Sequence, residues 1–272
     1  MNKIICRPAR GGFAMAINIK TPEEIKIMAE GGRRLALIFE TLKKETKAGV
    51  ATKDLDNLAA ELIANSGGKP SFLGEGGFPA TICVSINDEV VHGVPSPKRI
   101  IKDGDIVSLD AGMIYQGFHS DMAATVAVGD VAPEIKRMIK TVKKALKYGI
   151  KKAREGNTFG DVGNTIERYV ESQGFHVVRD LCGHGIGRNL HEDPQILNYG
   201  KRHKGAVIKE GMAFCLEPMI TAGDPAIILG EDKQAYKIKD GSIAVHCEHT
   251  LAIVNGVCRV ITALPGKENQ ED

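Results

Sequence analysis

Apolar residues recur at helical spacing near the start of the chain. Thr21-Pro22-Glu23-Glu24 supplies an N-cap residue, a proline at the first helical position and a glutamate placed for a capping box. This pattern predicts a helix from Pro22 to about Thr46. Its buried stripe comprises Ile25, Met28, Leu35, Ile38, Phe39 and Leu42. A second amphipathic helix is predicted after Thr52, with Gly67 as its stop.

Much the same unit recurs later in the chain. Pro133 opens a predicted helix that ends near Arg154, and another is predicted from about Thr158 to Gly174. An offset of 107 positions relates Gly49 to Gly156, Leu55 to Val162, Ala59 to Ile166, Leu62 to Tyr169, and Gly67 to Gly174. With so few identities a chance repeat is the alternative, but acidic residues match as well, which favours a duplicated unit.

The matched acids follow apolar runs in both copies. The same offset carries Asp110 onto Glu217, and an offset of 127 carries Asp121 onto Glu248. The 20 additional residues fall between Thr221 and Ser242 and predict a long hairpin loop. Neither copy is expected to bury its sheet face alone, so we predict one α+β domain with approximate two-fold internal symmetry. Its sheet should be mainly antiparallel, with two helix pairs covering one face.

A predicted hairpin brings the first two acids together. Residues 105–114 and 118–128 have the composition of strands around Tyr115-Gln116-Gly117. A loop formed by Tyr115 and Gln116 would place Asp110 directly opposite Asp121. Any register that differs by two positions also keeps both carboxylates on one face.

Four clustered carboxylates imply a cationic partner, because they would otherwise repel and raise one another's pKa values. A lone Asp or Glu is usually a cap or a solvated residue, but an unpaired charge at the end of an apolar run is costly. Two divalent ions would balance four carboxylates, and the glycine-flanked His184 adds a nitrogen ligand. The predicted metal ligands are Asp110, Asp121, His184, Glu217 and Glu248. His92 and His191 are candidates for orienting an amide and stabilising charge on its oxygen.

The composition argues against several functional classes and indicates where the protein acts. The 272 residues include 36 basic and 34 acidic side chains, a net charge of +2, which argues against nucleic-acid or membrane binding through charge. The six cysteines form no CxxC pair and indicate reduced thiols, and no apolar run could cross a bilayer, so we expect a cytoplasmic protein. We further expect a disordered leader at 1–14, with Met15 as the natural start, a single catalytic domain at 15–265 and a polar tail at 266–272.

At these residues the chain resembles the methionine aminopeptidases of the shorter type, which have the pita-bread fold. The resemblance runs from about Ile17 to Ala263. It rests on Ser85-Ile86-Asn87, His92-Gly93-Val94-Pro95, Asp110, Gly117-Phe118-His119-Ser120-Asp121, Cys182-Gly183-His184-Gly185-Ile186-Gly187, Glu217-Pro218 and Glu248-His249-Thr250. Together these motifs are highly specific.

The resemblance implies a role for each site residue. Asp110 would chelate one metal ion, His184 and Glu217 the other, and Asp121 and Glu248 would bridge both. His92 would contact the scissile amide nitrogen and His191 the carbonyl oxygen, while Glu217 would assist proton transfer. Cys83 and Phe78 would fit the pocket for the methionine side chain. Phe72, Glu75 and Leu190 depart from the family pattern, since other members often carry Cys or aromatic residues there.

The implied reaction removes the initiator methionine from nascent polypeptides with a small second residue, through attack by a metal-bridging hydroxide. The two ions would be Co, Mn, Fe or Zn. The expected partners are nascent N-termini, with ribosome association left open and a monomer as the default. Two alternatives remain: a proline-directed peptidase of the same fold, which usually carries an extra N-terminal domain, and a non-catalytic binding protein that has lost its metals.

Overall fold

The computed structural model describes residues 17–264 and residue 266. The predicted leader at 1–14, the start at Met15 and the tail beyond Gly266 lie outside the described residues. Among residues 17–264, no helix is both long enough and apolar enough to cross a bilayer.

Four α-helices form where the apolar spacing predicts them. They are α1 (Pro22–Glu45), α2 (Thr52–Asn65), α3 (Pro133–Lys152) and α4 (Phe159–Ser172). The Thr21 hydroxyl accepts from the Glu24 amide, and the Glu24 carboxylate accepts from the Thr21 amide, so the predicted capping box is confirmed. Thr158 and Asp161 form the equivalent box before α4. A single 3₁₀ turn occupies Glu75–Gly77.

Fifteen antiparallel strands accompany the helices among the described residues. They are β1 (Lys69–Pro70), β2 (Cys83–Ile86), β3 (Glu89–Val91), β4 (Ile106–Tyr115), β5 (Phe118–Ala127), β6 (His176–Val177), β7 (Gly183–Gly185), β8 (Glu192–Ile196), β9 (Ala213–Leu216), β10 (Met219–Thr221), β11 (Ile227–Leu229), β12 (Tyr236–Ile238), β13 (Ala244–His246), β14 (Glu248–Val254) and β15 (Val257–Val260). The largest sheet has the order β1-β4-β5-β14-β9-β7-β8, with β2 also paired to β4 and β15 to β14. Two three-stranded sheets, β13-β10-β6 and β11-β12-β3, flank it.

Each copy of the repeat builds its own half of the core. Leu55 of α2 and Val107 of β4 lie in one apolar cluster, with residues of α1. Their counterparts 107 positions later, Val162 of α4 and Phe214 of β9, lie in a second cluster with residues of α3. Each fully buried side chain of this kind stabilises the fold by roughly 2 kcal/mol. The predicted α+β architecture, with a mainly antiparallel sheet and two helix pairs, is confirmed.

The β4–β5 hairpin corrects the predicted register. Its loop is Gln116-Gly117, and these residues have φ values of 48° and 81°. A two-residue turn with positive φ at both positions matches the twist of the strands, and glycine adopts it without strain. Tyr115 therefore pairs with Phe118 at the end of the ladder, and Asp110 is not directly opposite Asp121 as predicted. The shift is two positions, so both acids remain on one face, as predicted.

The predicted long loop between Thr221 and Ser242 is itself a hairpin, formed by β11 and β12. Its second strand continues into contact with β3, where Tyr236 pairs with Val91. The insertion therefore reaches from the second copy of the repeat to the strand that leads into His92.

Candidate metal centre

The carboxylates meet where the two halves of the large sheet join. Asp110 lies on β4 and Asp121 on β5, while Glu248 begins β14 and pairs with Ala123 of β5. Glu217 follows the last residue of β9, where Leu216 pairs with His249, the neighbour of Glu248. The internal repeat thus brings the four predicted acids to one site.

Several oxygens at this site lack a protein partner. Asp110, Asp121 and Glu248 are buried, with at most 6% of each residue exposed. Asp110 Oδ1, Asp121 Oδ1 and Glu248 Oε1 accept no hydrogen bond from the described residues. A buried, unpaired carboxylate oxygen is costly, and cations are its usual partners. The donor set therefore fits divalent cations.

Burial also controls the protonation of these groups. It raises the pKa of Asp110 and of Glu248 well above the usual range, and neighbouring Asp121 raises both further. Burial raises the pKa of Asp121 to about 7. Without a cation, burial therefore favours the protonated forms of these carboxyl groups. Cation binding would displace the protons, because only ionised carboxylates are strong ligands.

His184 is held by close contacts between strands. A Cβ atom at Gly183 would lie 2.3 Å from the Cys215 carbonyl oxygen, and one at Gly185 would lie 2.2 Å from that of Asp193. The glycines on both sides of His184 are thus required for the close packing of β7. The His184 Nδ1–H donates to the Gly185 carbonyl oxygen at 2.9 Å, which fixes the tautomer.

The other nitrogen of His184 faces the acids. Its Nε2 lies 3.6 Å from Glu217 Oε1. Burial lowers the pKa of His184 to about 4, so the ring is neutral at pH 7 and Nε2 carries a lone pair. A neutral imidazole whose other nitrogen is already hydrogen-bonded is a typical metal ligand.

His92 and His191 face the same cleft. The His92 ring is 6.1 Å from that of Tyr236, and the His191 ring is 4.6 Å from that of His184, both in edge-to-face geometry. Burial, followed by the proximity of His184, lowers the pKa of His191 to about 2. The cleft contains about 430 Å³ of empty space, including its solvent-open part. It brings together both histidines and all five predicted metal ligands.

Part of the cleft lining is apolar. It consists of Phe72, Val91, Leu181, Cys182 and Met219. Cys83 and Phe78, predicted to contact the substrate, are fully buried in the cluster that contains Phe72, but neither lines the described cleft. Their binding role stays a prediction. Leu190 lies in the same cluster, and Glu75 is half-buried in the 3₁₀ turn.

The structure adds two side chains that the sequence prediction omitted. Ligand atoms of Asp121, His184, Cys215 and Glu248 all lie within 4.8 Å of one another, and so do those of Asp110, His246 and Glu248. Burial raises the pKa of Cys215 well above its ordinary value, which keeps it a neutral thiol. His246 could have been found from the repeat, because the offset of 127 carries His119-Ser120-Asp121 onto His246-Cys247-Glu248.

Comparison with known proteins agrees with this geometry. Residues 26–255 match the family model described as Metallopeptidase family M24. A methionine aminopeptidase of Clostridium acetobutylicum is 42% identical over 246 residues, which are 90% of this chain and 98% of that protein. The crystal structure of the methionine aminopeptidase from Thermotoga maritima is similar with a TM-score of 0.89 at 40% identity, covering 91% of this chain and 99% of that one.

A proline-directed enzyme of the same fold is more distant. The prolidase from Pyrococcus furiosus is similar with a TM-score of 0.71 at 25% identity, covering 90% of this chain and 65% of that one. These likenesses confirm the pita-bread fold, and they are stronger toward the methionine aminopeptidases than toward this prolidase.

Proposed function

The chain belongs to the M24 metallopeptidases and, within them, to the methionine aminopeptidases, and from this premise we propose that it removes the initiator methionine from nascent polypeptides with a small second residue. The observation that carries the proposal is the group of buried carboxylates with unpaired oxygens beneath a cleft with an apolar wall. The carboxylates suit cations, and the wall suits an unbranched, apolar side chain such as methionine.

The five predicted ligands would hold two divalent ions. They are Asp110, Asp121, His184, Glu217 and Glu248. Bound there, the ions would polarise the scissile carbonyl, hold the free α-amino group and activate the attacking water. Mn, Fe, Co and Zn all suit oxygen-rich sites that include imidazole, so availability decides among them.

In this proposal Glu217 moves protons. Its side chain is 12% exposed, so it reaches the cleft while remaining close to His184 and His246. A carboxylate in this position can accept the proton of the attacking water and then deliver it to the departing amine.

The two cleft histidines would act on the scissile amide. His191 is neutral at pH 7, so its ring can donate one N–H to the carbonyl oxygen as negative charge develops there. In the same proposal, His92 would hydrogen-bond the amide nitrogen. Its backbone φ of 62° is unusual for a non-glycine residue.

We also propose that the enzyme acts in the cytoplasm, as a monomer, on chains whose amino terminus has emerged during synthesis. The five free cysteines among the described residues suit a reducing compartment. Association with the ribosome would bring the enzyme to such chains.

A matched peptide set tests the function. Peptides that begin Met-Ala, Met-Leu, Leu-Ala and Ala-Pro would be incubated with chelated protein, with and without added Mn or Co. We expect metal-dependent release of methionine from Met-Ala only. Asp110→Asn is the control: it should abolish release and thereby exclude a contaminating peptidase. Cleavage of Ala-Pro would instead support a proline-directed enzyme, and no cleavage by protein with bound metal would support a binding protein.

A further inference from the structure

His246 is a buried histidine beside the predicted metal ligands. The residue is 1% exposed, and neither ring nitrogen has a hydrogen-bond partner among the described residues. Buried polar side chains almost always have a partner, so such a ring needs an explanation. We propose that His246 is a further ligand of the metal centre and supplies it with a second imidazole beside His184. The inference rests on the metal centre of the proposed function, not on its substrate.

The distance from the His246 ring to Glu248 is that of two ligands that share an ion. His246 Nε2 lies 3.7 Å from Glu248 Oε2 and 3.9 Å from Glu217 Oε2. These distances are too long for hydrogen bonds. Two atoms that each lie about 2.1 Å from one ion are roughly 3 to 4 Å apart. His184 Nε2 and Glu217 Oε1, a predicted ligand pair, have the same spacing at 3.6 Å.

The two candidate ligand groups share one residue. One contains Asp121 and His184, the other contains Asp110 and His246, and Glu248 belongs to both. A dinuclear site with a bridging Glu248 would therefore have one imidazole on each ion. The set of five ligands contains only one imidazole, that of His184, for the two ions. The assignment of His246 adds a second.

The backbone of His246 is fixed in place. The Thr125 hydroxyl accepts from the His246 amide at 3.0 Å and donates to the His246 carbonyl oxygen at 2.8 Å. His246 also pairs with Met219 of β10, whose side chain lines the cleft. Both contacts hold the ring at the site, as a ligand requires.

The internal repeat gives an independent reason for this placement. His246 and His119 are equivalent, and each precedes a predicted bridging acid by two positions. Residues two apart in an extended segment share a face. His119 Nδ1 is engaged by the Ser71 hydroxyl at 3.0 Å, whereas His246 keeps both nitrogens available. Of these two histidines, His246 is the one that belongs to a candidate ligand group among the described residues.

The number of coordinated imidazoles tests the assignment without reference to activity. Chelated full-length protein would receive two equivalents of Co²⁺, and proton NMR would count the hyperfine-shifted, exchangeable imidazole N–H signals. We expect two signals in the wild type and one in either His246→Gln or His184→Gln. The wild-type count tests the proposal even if a variant fails to fold.

His249→Gln is the matched control, because His249 is a partly buried histidine near the same acids whose Nδ1 is paired with Thr262 Oγ1 at 2.9 Å. It should retain two signals. Two bound ions with one signal in the wild type would overturn this inference and leave the proposed function intact. Failure to bind Co²⁺ at all would overturn the metal centre and the proposed function together.

Metal preference supplies a second test. Imidazole favours Zn²⁺ over Mn²⁺, which prefers oxygen ligands. His246→Gln should therefore weaken Zn²⁺ binding at one of two sites by about 10-fold or more, and Mn²⁺ binding by less. Competition titrations with a chromophoric chelator measure both affinities. Equal losses for the two metals, or no loss, would contradict coordination by His246.

Discussion

Asp110 and Asp121 lie on one face of the β4–β5 hairpin but two positions out of register. Asp121 pairs with Gly112, and Asp110 pairs with Ala123. A Cβ atom at Gly112 would lie 2.9 Å from the Phe72 ring, so the glycine leaves room for an aromatic side chain that lines the cleft. The diagonal arrangement thus places two carboxylates beside each other and an apolar wall next to them.

The protonation of the acids and histidines in and around the site predicts a stability maximum for the metal-free protein near pH 6.5. Burial raises the pKa values of Asp110, Asp121 and Glu248, and lowers those of His119, His184, His191, His246 and His249. Above about pH 4 the folded acids bind more protons than the unfolded chain, so their contribution to stability falls as pH rises. Below pH 6.5 the folded histidines bind fewer protons than those of the unfolded chain, so the contribution of the histidines to stability increases with pH.

Below pH 6.5 the five histidines outweigh the three acids, so the free energy of unfolding rises with pH. Above pH 6.5 the effect of the acids remains, so the free energy of unfolding falls as pH rises. Urea unfolding of chelated protein between pH 5 and 9 measures the profile. Saturating Mn²⁺ should remove the fall above pH 6.5, because bound ions favour the ionised carboxylates. A metal-free protein that gains stability from pH 6.5 to 8 would contradict the raised pKa values of the acids.

Local chemistry made much of the fold predictable. The capping boxes at Thr21 and Thr158, and the alternation that keeps Asp110 and Asp121 on one face, depend on residues close in sequence. The hairpin register was wrong because Tyr115 was assigned to the turn. Gln116-Gly117 is better suited to positive φ, and this turn chemistry was already present in the sequence.

The surroundings of His246 and Cys83 depend on distant contacts. His246 reaches the carboxylates only because β13 pairs with β10 and Thr125 of β5 holds its backbone. Cys83 pairs with Asp110, yet its side chain lies in the buried cluster and not on the cleft. A histidine or cysteine in one sequence gives no local sign of such placement, so tertiary structure is needed to separate ligands from core residues.

Gly183→Ala should weaken metal binding through the backbone. The added methyl group would lie 2.3 Å from the Cys215 carbonyl oxygen and would push β7 away from β9, moving His184 relative to Glu217. We expect a loss of roughly 1 to 3 kcal/mol in the free energy of unfolding and about a 10-fold loss of metal affinity.

Gly230→Ala is a suitable control for this substitution, since its nearest contacts would be 3.2 Å away, in the inserted hairpin. It should lower the free energy of unfolding less than Gly183→Ala does and leave the metal affinity unchanged. Calorimetric titration with Mn²⁺, together with urea unfolding, measures both. Unchanged metal affinity in Gly183→Ala would show that strand spacing at β7 does not position His184.

Glu217→Gln should fold normally and turn over slowly. The substitution preserves side-chain volume but removes the group that accepts and delivers protons, so kcat on Met-Ala peptides should fall by about 100- to 10,000-fold. The comparison requires enough Mn²⁺ to fill both sites, with bound metal quantified. Glu231→Gln makes the same chemical change at an exposed position and should keep the wild-type kcat. A Glu217→Gln enzyme with a similar kcat would refute the assigned role.

His92→Asn should separate catalysis from metal binding. His92 has a φ of 62°, which asparagine tolerates better than alanine. Asn therefore removes the imidazole while retaining the backbone, and we expect kcat to fall by about 100-fold with two metal ions still bound. His92→Ala should have a kcat similar to that of His92→Asn. Its free energy of unfolding should be lower than that of His92→Asn by about 1 kcal/mol, because alanine is strained at this φ. Steady-state kinetics, metal analysis and thermal unfolding of both variants measure these effects. Loss of one bound ion from His92→Asn would instead identify His92 as a ligand, and a wild-type kcat would exclude it from the reaction.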